Sequence, residues 1–317
     1  PPDLQDGRSN IARAVPPVLA ARDTDHGMID YLHSPPLLLS LAGVLGLIVG
    51  SFLNVVIHRL PIMMEQRWRQ EARDYLAEGP SAAPAPPAEA FNLLVPRSRC
   101  PYCSRPISAL ENIPVFSYLL LRGRCAGCKE RIPLRYPIIE IAAGLLAVAV
   151  AWRFGPTTAG GAALVLTWAL LCLSAIDIDR QLLPDSITLP LLWLGLLLSL
   201  GGVFVGSHAG IIGAAAGYLA LWLVYMAFKL LTRKEGMGHG DFKLLAALGA
   251  WLGWQALPLI ILLSSVVGAA IGLALILVRG RDRNVPIPFG PYLAAAGWIT
   301  LMWGDSIAHA YLAWLGA

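Results

Sequence analysis

The sequence predicts an all-α polytopic membrane protein of about eight transmembrane helices, with a small cytoplasmic domain inserted after the first helix. Three observations carry this fold class. Hydrophobic residues make up 56% of the 317-residue chain and charged residues only 14%, against a charged share of roughly 25% in soluble domains. The apolar residues fall in continuous blocks of the ~20-residue length that spans a bilayer as a helix, without the alternation of a strand barrel. Basic residues crowd every second connection between those blocks. Such a chain belongs to none of the secreted, nucleic-acid-binding or disordered classes.

The apolar blocks place helices over 36–57, 138–154, 158–177, 187–206, 209–231, 242–255, 257–279 and 290–304. Two of them, 242–255 and 290–304, are short for a bilayer and are expected to be tilted or re-entrant against their neighbours. Twelve of the 24 Lys and Arg residues lie between Arg59 and Arg135, and most of the others cluster near Arg180, Arg233 and Arg281. The alternate connections carry none apart from the nearby Arg153. By the positive-inside rule the 59–135 segment is cytoplasmic and both chain ends face the other side. Residues 1–27 carry Arg8, Arg13 and Arg22 against this pattern and lack the apolar core of a signal peptide. They are expected to be an extension outside the native fold. The organisation expected is therefore a first transmembrane helix over 28–58, a cytoplasmic insert over 59–136 and a transmembrane core over 137–317.

Within the insert, Met63, Met64, Trp68, Ala72, Tyr75 and Leu76 recur at helical spacing after Pro61, the pattern of an amphipathic helix lying on the membrane surface. Gly79 and the prolines at 80, 84, 86 and 87 end it in a loose linker over 79–90. Then come Cys100-Pro-Tyr-Cys103 and Cys125-Ala-Gly-Cys128, 21 residues apart. Two such turns let four thiolates converge tetrahedrally on one zinc ion, in a closed and hence structural site. A reducing cytoplasmic face disfavours disulfides between them. The insert is thus expected to be a small zinc-binding domain, whereas Cys172, alone in an apolar block, reads as a packing residue.

Ionisable residues at the ends of apolar spans are costly and ask for a reason. Asp177, Asp179 and Asp185 cluster at the cytoplasmic end of the third span, and Asp241 closes Gly236-Met-Gly238-His239-Gly240-Asp241 at the cytoplasmic start of the sixth. Two carboxylates sharing a proton can serve as general base and acid on a water molecule, and the glycines before Asp241 would let an extended peptide approach. The same acids could instead cap helices or pair with Arg180 and Lys243. A nucleotide-binding reading of Gly236–Gly240 fails because a membrane helix, and not a strand, precedes it.

From Ile29 to the C-terminus these segments resemble the type IV prepilin leader peptidases, the bifunctional membrane aspartic proteases of pilus and type II secretion systems. The resemblance is carried by Gly50-Ser-Phe-Leu-Asn54-Val-Val-Ile-His58-Arg59-Leu-Pro61, both CxxC pairs, Glu111-Asn-Ile-Pro114, Arg135-Tyr-Pro137, the Asp177 segment, Gly238-His-Gly-Asp241 and Pro286-Ile-Pro-Phe-Gly290. It implies that Asp177 and Asp241 are the catalytic pair, with Asp179 a rival for the first role. It further implies cleavage of the short basic leader of type IV prepilins and pseudopilins at the cytoplasmic face of the bacterial inner membrane. N-methylation of the new N-terminus, with S-adenosylmethionine as donor, would follow. No dinucleotide-type fold marks a donor site; the resemblance points to Glu111, Asn112 and Glu140. On the same residues, His58 and His239 can be merely interfacial or loop residues. Two other classes stay open at this level. One is an ion- or proton-coupled transporter with a cytoplasmic zinc domain, although its acids would be expected near the bilayer midplane. The other is a non-catalytic assembly scaffold.

Overall fold

A computed structural model describes residues 35–76, 91–234, 236–279 and 288–314. The expected extension and linker, 1–27 and 79–90, lie outside the described residues. The long helices are α1 (Pro35–Leu76), α3 (Arg135–Phe154), α4 (Thr158–Arg180), α5 (Asp185–Leu200), α6 (Ser207–Thr232), α7 (His239–Leu252), α8 (Leu257–Arg279) and α9 (Gly290–Trp314). One short helix, α2 (Phe116–Leu120), lies in the insert. The described residues form no strand beyond two isolated bridges. Each expected block is a helix, and α1, α3, α4, α6 and α8 are long and apolar enough to cross a membrane.

The separate surface helix expected after Pro61 is instead the continuation of α1, which runs unbroken for 42 residues. Proline removes one donor but has a helical φ, and no glycine or asparagine follows to reverse the chain. At about 1.5 Å per residue α1 is about twice as long as a hydrocarbon core of ~30 Å is thick. Its last twelve residues, from Glu65, are exposed.

The two short blocks resolve differently. Helix α9 extends well past the expected residue 304. Helix α7 has only 14 residues, yet Asp241, Phe242 and Leu244 through Trp251 are all buried, packed on α5, α6, α8 and α9. It is a core helix, apolar all round because protein surrounds it. Close approach demands small residues there: a Cβ built on Gly213 of α6 would lie 2.2 Å from the Gly249 carbonyl oxygen of α7.

Helix α4 is capped by Thr157, whose hydroxyl accepts the Gly160 N–H at 3.0 Å. It ends at Gln181, where a left-handed residue (φ 53°) returns its N–H to the Asp177 carbonyl. Pro184 then starts α5. The acids of this segment therefore sit on the last turn of α4 and the first of α5.

Candidate active site and metal centre

Asp177 and Asp241 are brought together by the last turn of α4 and the first turn of α7. Both residues are buried, at 6% and 7% exposure, and their carboxylates are within electrostatic reach of each other. Leu183, in the turn after α4, wedges the arrangement. A Cβ on Gly240 would lie 2.7 Å from the Leu183 Cβ, and one on Gly290 3.1 Å from the Leu183 Cδ2. The glycine before Asp241 thus makes room for the Leu183 side chain.

The other acids have cationic partners. Asp179 pairs with Arg135 at the start of α3, and both oxygens of Asp185 take the Lys243 Nζ at 2.7 Å. Among the described residues neither Asp177 nor Asp241 makes an ion pair. Lys243, an alternative partner for Asp241 in the sequence, is engaged elsewhere. Asp177 accepts one hydrogen bond, from the Gly290 N–H at 3.0 Å. Gly290 was visible in the sequence only as the last residue of a motif without a role; its place before a helix was the available signal.

Of the donor-site candidates, Glu140 lies where α3 meets the insert, whereas Glu111 and Asn112 lie within the insert itself. The buried Glu140 carboxylate accepts the Val115 N–H at 2.8 Å. Glu111 is taken up locally: one oxygen receives Arg105 and the other the Ser108 N–H, both at 2.9 Å. With the Ser108 hydroxyl accepting the Glu111 N–H, the pair forms a capping box on the 3-10 turn Leu110–Asn112. The Ser108 N–H, its hydroxyl and the Arg105 guanidinium hold the Glu111 carboxyl below the usual range. Asn112 is exposed. Two more buried polar residues of α1 bind main chain of the insert. Asn54 donates to the Tyr136 carbonyl at 3.1 Å. Arg59 donates to those of Asn92 and Pro96, at 2.9 and 2.6 Å.

The four insert cysteines form one cluster, their sulfurs all within 4.8 Å of one another. The two CxxC segments fold alike. The N–H of Cys100 donates to Arg105 and that of Cys125 to Glu130, and Ser104 and Lys129 close the turns with φ of 55° and 61°. The first cysteine of each pair faces the N–H groups of the two residues ending its CxxC. These lower the Cys100 thiol and bring Cys125 down to about 6, which readies both for a cation. None of the five cysteines is disulfide-bonded, and Cys172 is buried in the apolar core as expected.

Two apolar grooves lie elsewhere among the described residues. One of about 640 Å³ runs between α6 and α8, and one of about 270 Å³ lies among α1, α3 and α4. Neither is lined by the aspartates or the donor-site candidates.

Residues 44–154 match the family model for the bacterial peptidase A24 N-terminal domain, and residues 164–273, with both aspartates, match that of the type IV leader peptidase family. A prepilin leader peptidase/N-methyltransferase of Aeromonas hydrophila is 58% identical over 286 residues, 90% of this chain and 98% of the relative. The chain belongs to the type IV leader peptidase family. Proteins of the same description from Stutzerimonas stutzeri and Pseudomonas aeruginosa are 57% and 54% identical, over 97% and 99% of their own lengths. No solved structure matches significantly. In this family member the N-terminal model spans most of α1, the cysteine cluster and α3, while the second spans the aspartate pair. Helix α9, with Gly290, lies beyond both.

Proposed function

We propose that the chain is a membrane aspartic endopeptidase that removes the short basic leader from type IV prepilins and pseudopilins, and then N-methylates the exposed N-terminus with S-adenosylmethionine. The observation that carries the cleavage is that Asp177 and Asp241 are both buried, within electrostatic reach of each other and free of counter-cations among the described residues. One carboxylate takes a proton from water as its oxygen attacks the scissile carbonyl. The other gives its proton to the carbonyl oxygen. Collapse of the tetrahedral adduct breaks the C–N bond, with a proton passing to the leaving amine. The products are a leader carboxylate and a new pilin amine. That amine is the methyl acceptor: it forms the N–C bond as the sulfonium carbon–sulfur bond breaks, and it loses a proton.

The methyl transfer is supported by the relatives' names. Of the residues proposed for the donor, Glu111 and Glu140 also hold the insert together and to α3, so their replacement affects its shape. Zinc fits the cysteine cluster: a Zn–S bond of about 2.3 Å in a tetrahedron separates sulfurs by about 3.8 Å. Cys100 and Cys128 are 3.7 Å apart, and Cys103 and Cys125 4.0 Å. The metal would brace the insert and take no part in hydrolysis. Both sites would face the cytoplasm of a bacterial inner membrane, where the basic leader waits while the pilin's apolar helix sits in lipid. The relatives favour this reading over an ion- or proton-coupled transporter.

The test is leader cleavage by purified protein in detergent, with labelled S-adenosylmethionine present. Cleaved, N-terminally labelled pilin is expected. Absence of cleavage by well-folded protein would reject the proposal.

A further inference from the structure

Resting on the reading of Asp177 as a cleavage carboxylate, we propose that Gly290 is a positioning residue of that site: its main-chain N–H fixes one oxygen of Asp177 and leaves the other for water.

The N–H of Gly290 meets the Asp177 Oδ2 at 3.0 Å, across 113 positions of chain. No other hydrogen bond reaches this carboxylate among the described residues, so its rotation is set by this contact. Gly290 opens α9, whose first N–H groups have no partner within the helix. Pro291 has no N–H, and Phe289 has no side-chain acceptor with which to cap the turn. The cap comes from Asp177 on another helix. Helix α9 is itself held by α4, α7 and α8, so the donor is rigidly mounted.

Geometry also explains the residue type. A Cβ at position 290 would lie 2.7 Å from the Asp177 Oδ2 and 3.2 Å from its Cγ, closer than a carboxylate tolerates without turning away. Only glycine brings the N–H and leaves the oxygen in place. With Oδ2 engaged, Oδ1 is the oxygen available to a water or to a proton shared with Asp241. Orientation of this kind acts on the chemical step and not on substrate affinity.

The experiment uses the full chain in detergent with a leader-bearing pilin. Two variants separate the N–H from the missing Cβ: Gly290→Ala, and glycolic acid incorporated at position 290, which turns the Phe289–Gly290 amide into an ester without adding an atom. The ester is expected to lower kcat for cleavage roughly ten- to a hundredfold, the range for losing a hydrogen bond to a charged group, with KM within about twofold. Gly290→Ala should lower kcat as well. Both variants should still methylate pilin supplied already mature. An unchanged kcat in the ester, a rise in KM alone, or loss of methyl transfer together with cleavage would overturn the proposal. Asp177→Asn is assayed in parallel. Normal cleavage by that variant would remove the reading of the aspartate itself, whatever Gly290 does.

Discussion

The carboxylate of Glu140 on α3 accepts the N–H of Val115 in the insert, at 2.8 Å. Val115 is β-branched and has φ 59° and ψ −47°, with the Phe116 N–H returned to the Pro114 carbonyl. This is a γ-turn of the rare, strained hand, and a buried acid of a transmembrane helix holds it. The insert is pinned at three main-chain points: by Arg59 near its start, by Glu140 in its middle and by Asn54 at its end.

Glu140→Ala leaves the half-buried Val115 N–H without its acceptor, a loss of at most about 1–3 kcal/mol, the range for a fully buried donor. Glu140→Gln keeps an oxygen there. Amide exchange of residues 113–117 is expected to accelerate strongly in the alanine variant and much less in the glutamine variant. Equal acceleration in both would mean that the charge, and not the acceptor, secures the turn.

Arg59→Lys removes the two-pronged donor that spans the Asn92 and Pro96 carbonyls, because an ammonium group cannot match both positions as a planar fork does. Limited trypsin digestion should then cut after Arg97 several-fold faster. The cysteine cluster should keep its metal. An unchanged digestion rate would show that the contact contributes nothing to docking.

About one zinc per chain is expected by elemental analysis. Cys103→Ser, or prolonged chelation, should release it and loosen the insert, since a structural metal of this kind couples binding to folding. The membrane core should keep its melting temperature. Metal-free protein with a fully protected insert would remove zinc from the account.

On the proposed mechanism Asp177→Asn and Asp241→Asn should each reduce cleavage by several orders of magnitude, and the double variant should cost little more, as for residues that act as a unit. Asp179→Asn should retain most activity: that carboxylate is bound to Arg135, and an exposed pair of this kind contributes at most about 1 kcal/mol. The reverse ranking would move the catalytic role to Asp179.

Glu111 should titrate below the usual carboxylate range, first through the Ser108 N–H, then the Ser108 hydroxyl and Arg105. A carboxyl lowered by folding adds stability above its unfolded value of about 4.3, and that stability is lost as the pH falls through the lower folded value. In NMR of protein labelled at the glutamate carboxyl carbon, Arg105→Ala should raise the midpoint part of the way, since the Ser108 N–H remains. An unmoved midpoint would show that Arg105 has no share in it.

Local chemistry was legible in the chain. The apolar blocks read correctly because lipid demands an apolar surface and internal backbone hydrogen bonding from every span. The cysteine turns read correctly because their hydrogen bonds close within six residues, as from Cys100 to Arg105. The acids stood out because charge is costly at a membrane. Tertiary structure alone decided which acids remain without a cation. Asp177 and Asp179 stand two positions apart on one helix and so point to different sides, and only the packing of α3, α7 and α9 around α4 directs one toward Asp241 and the other toward Arg135. The burial of α7, the continuation of α1 through Pro61 and the Gly290 contact belong to the same class. Each depends on how helices distant in sequence rotate and approach one another, which neighbouring residues in the chain do not encode.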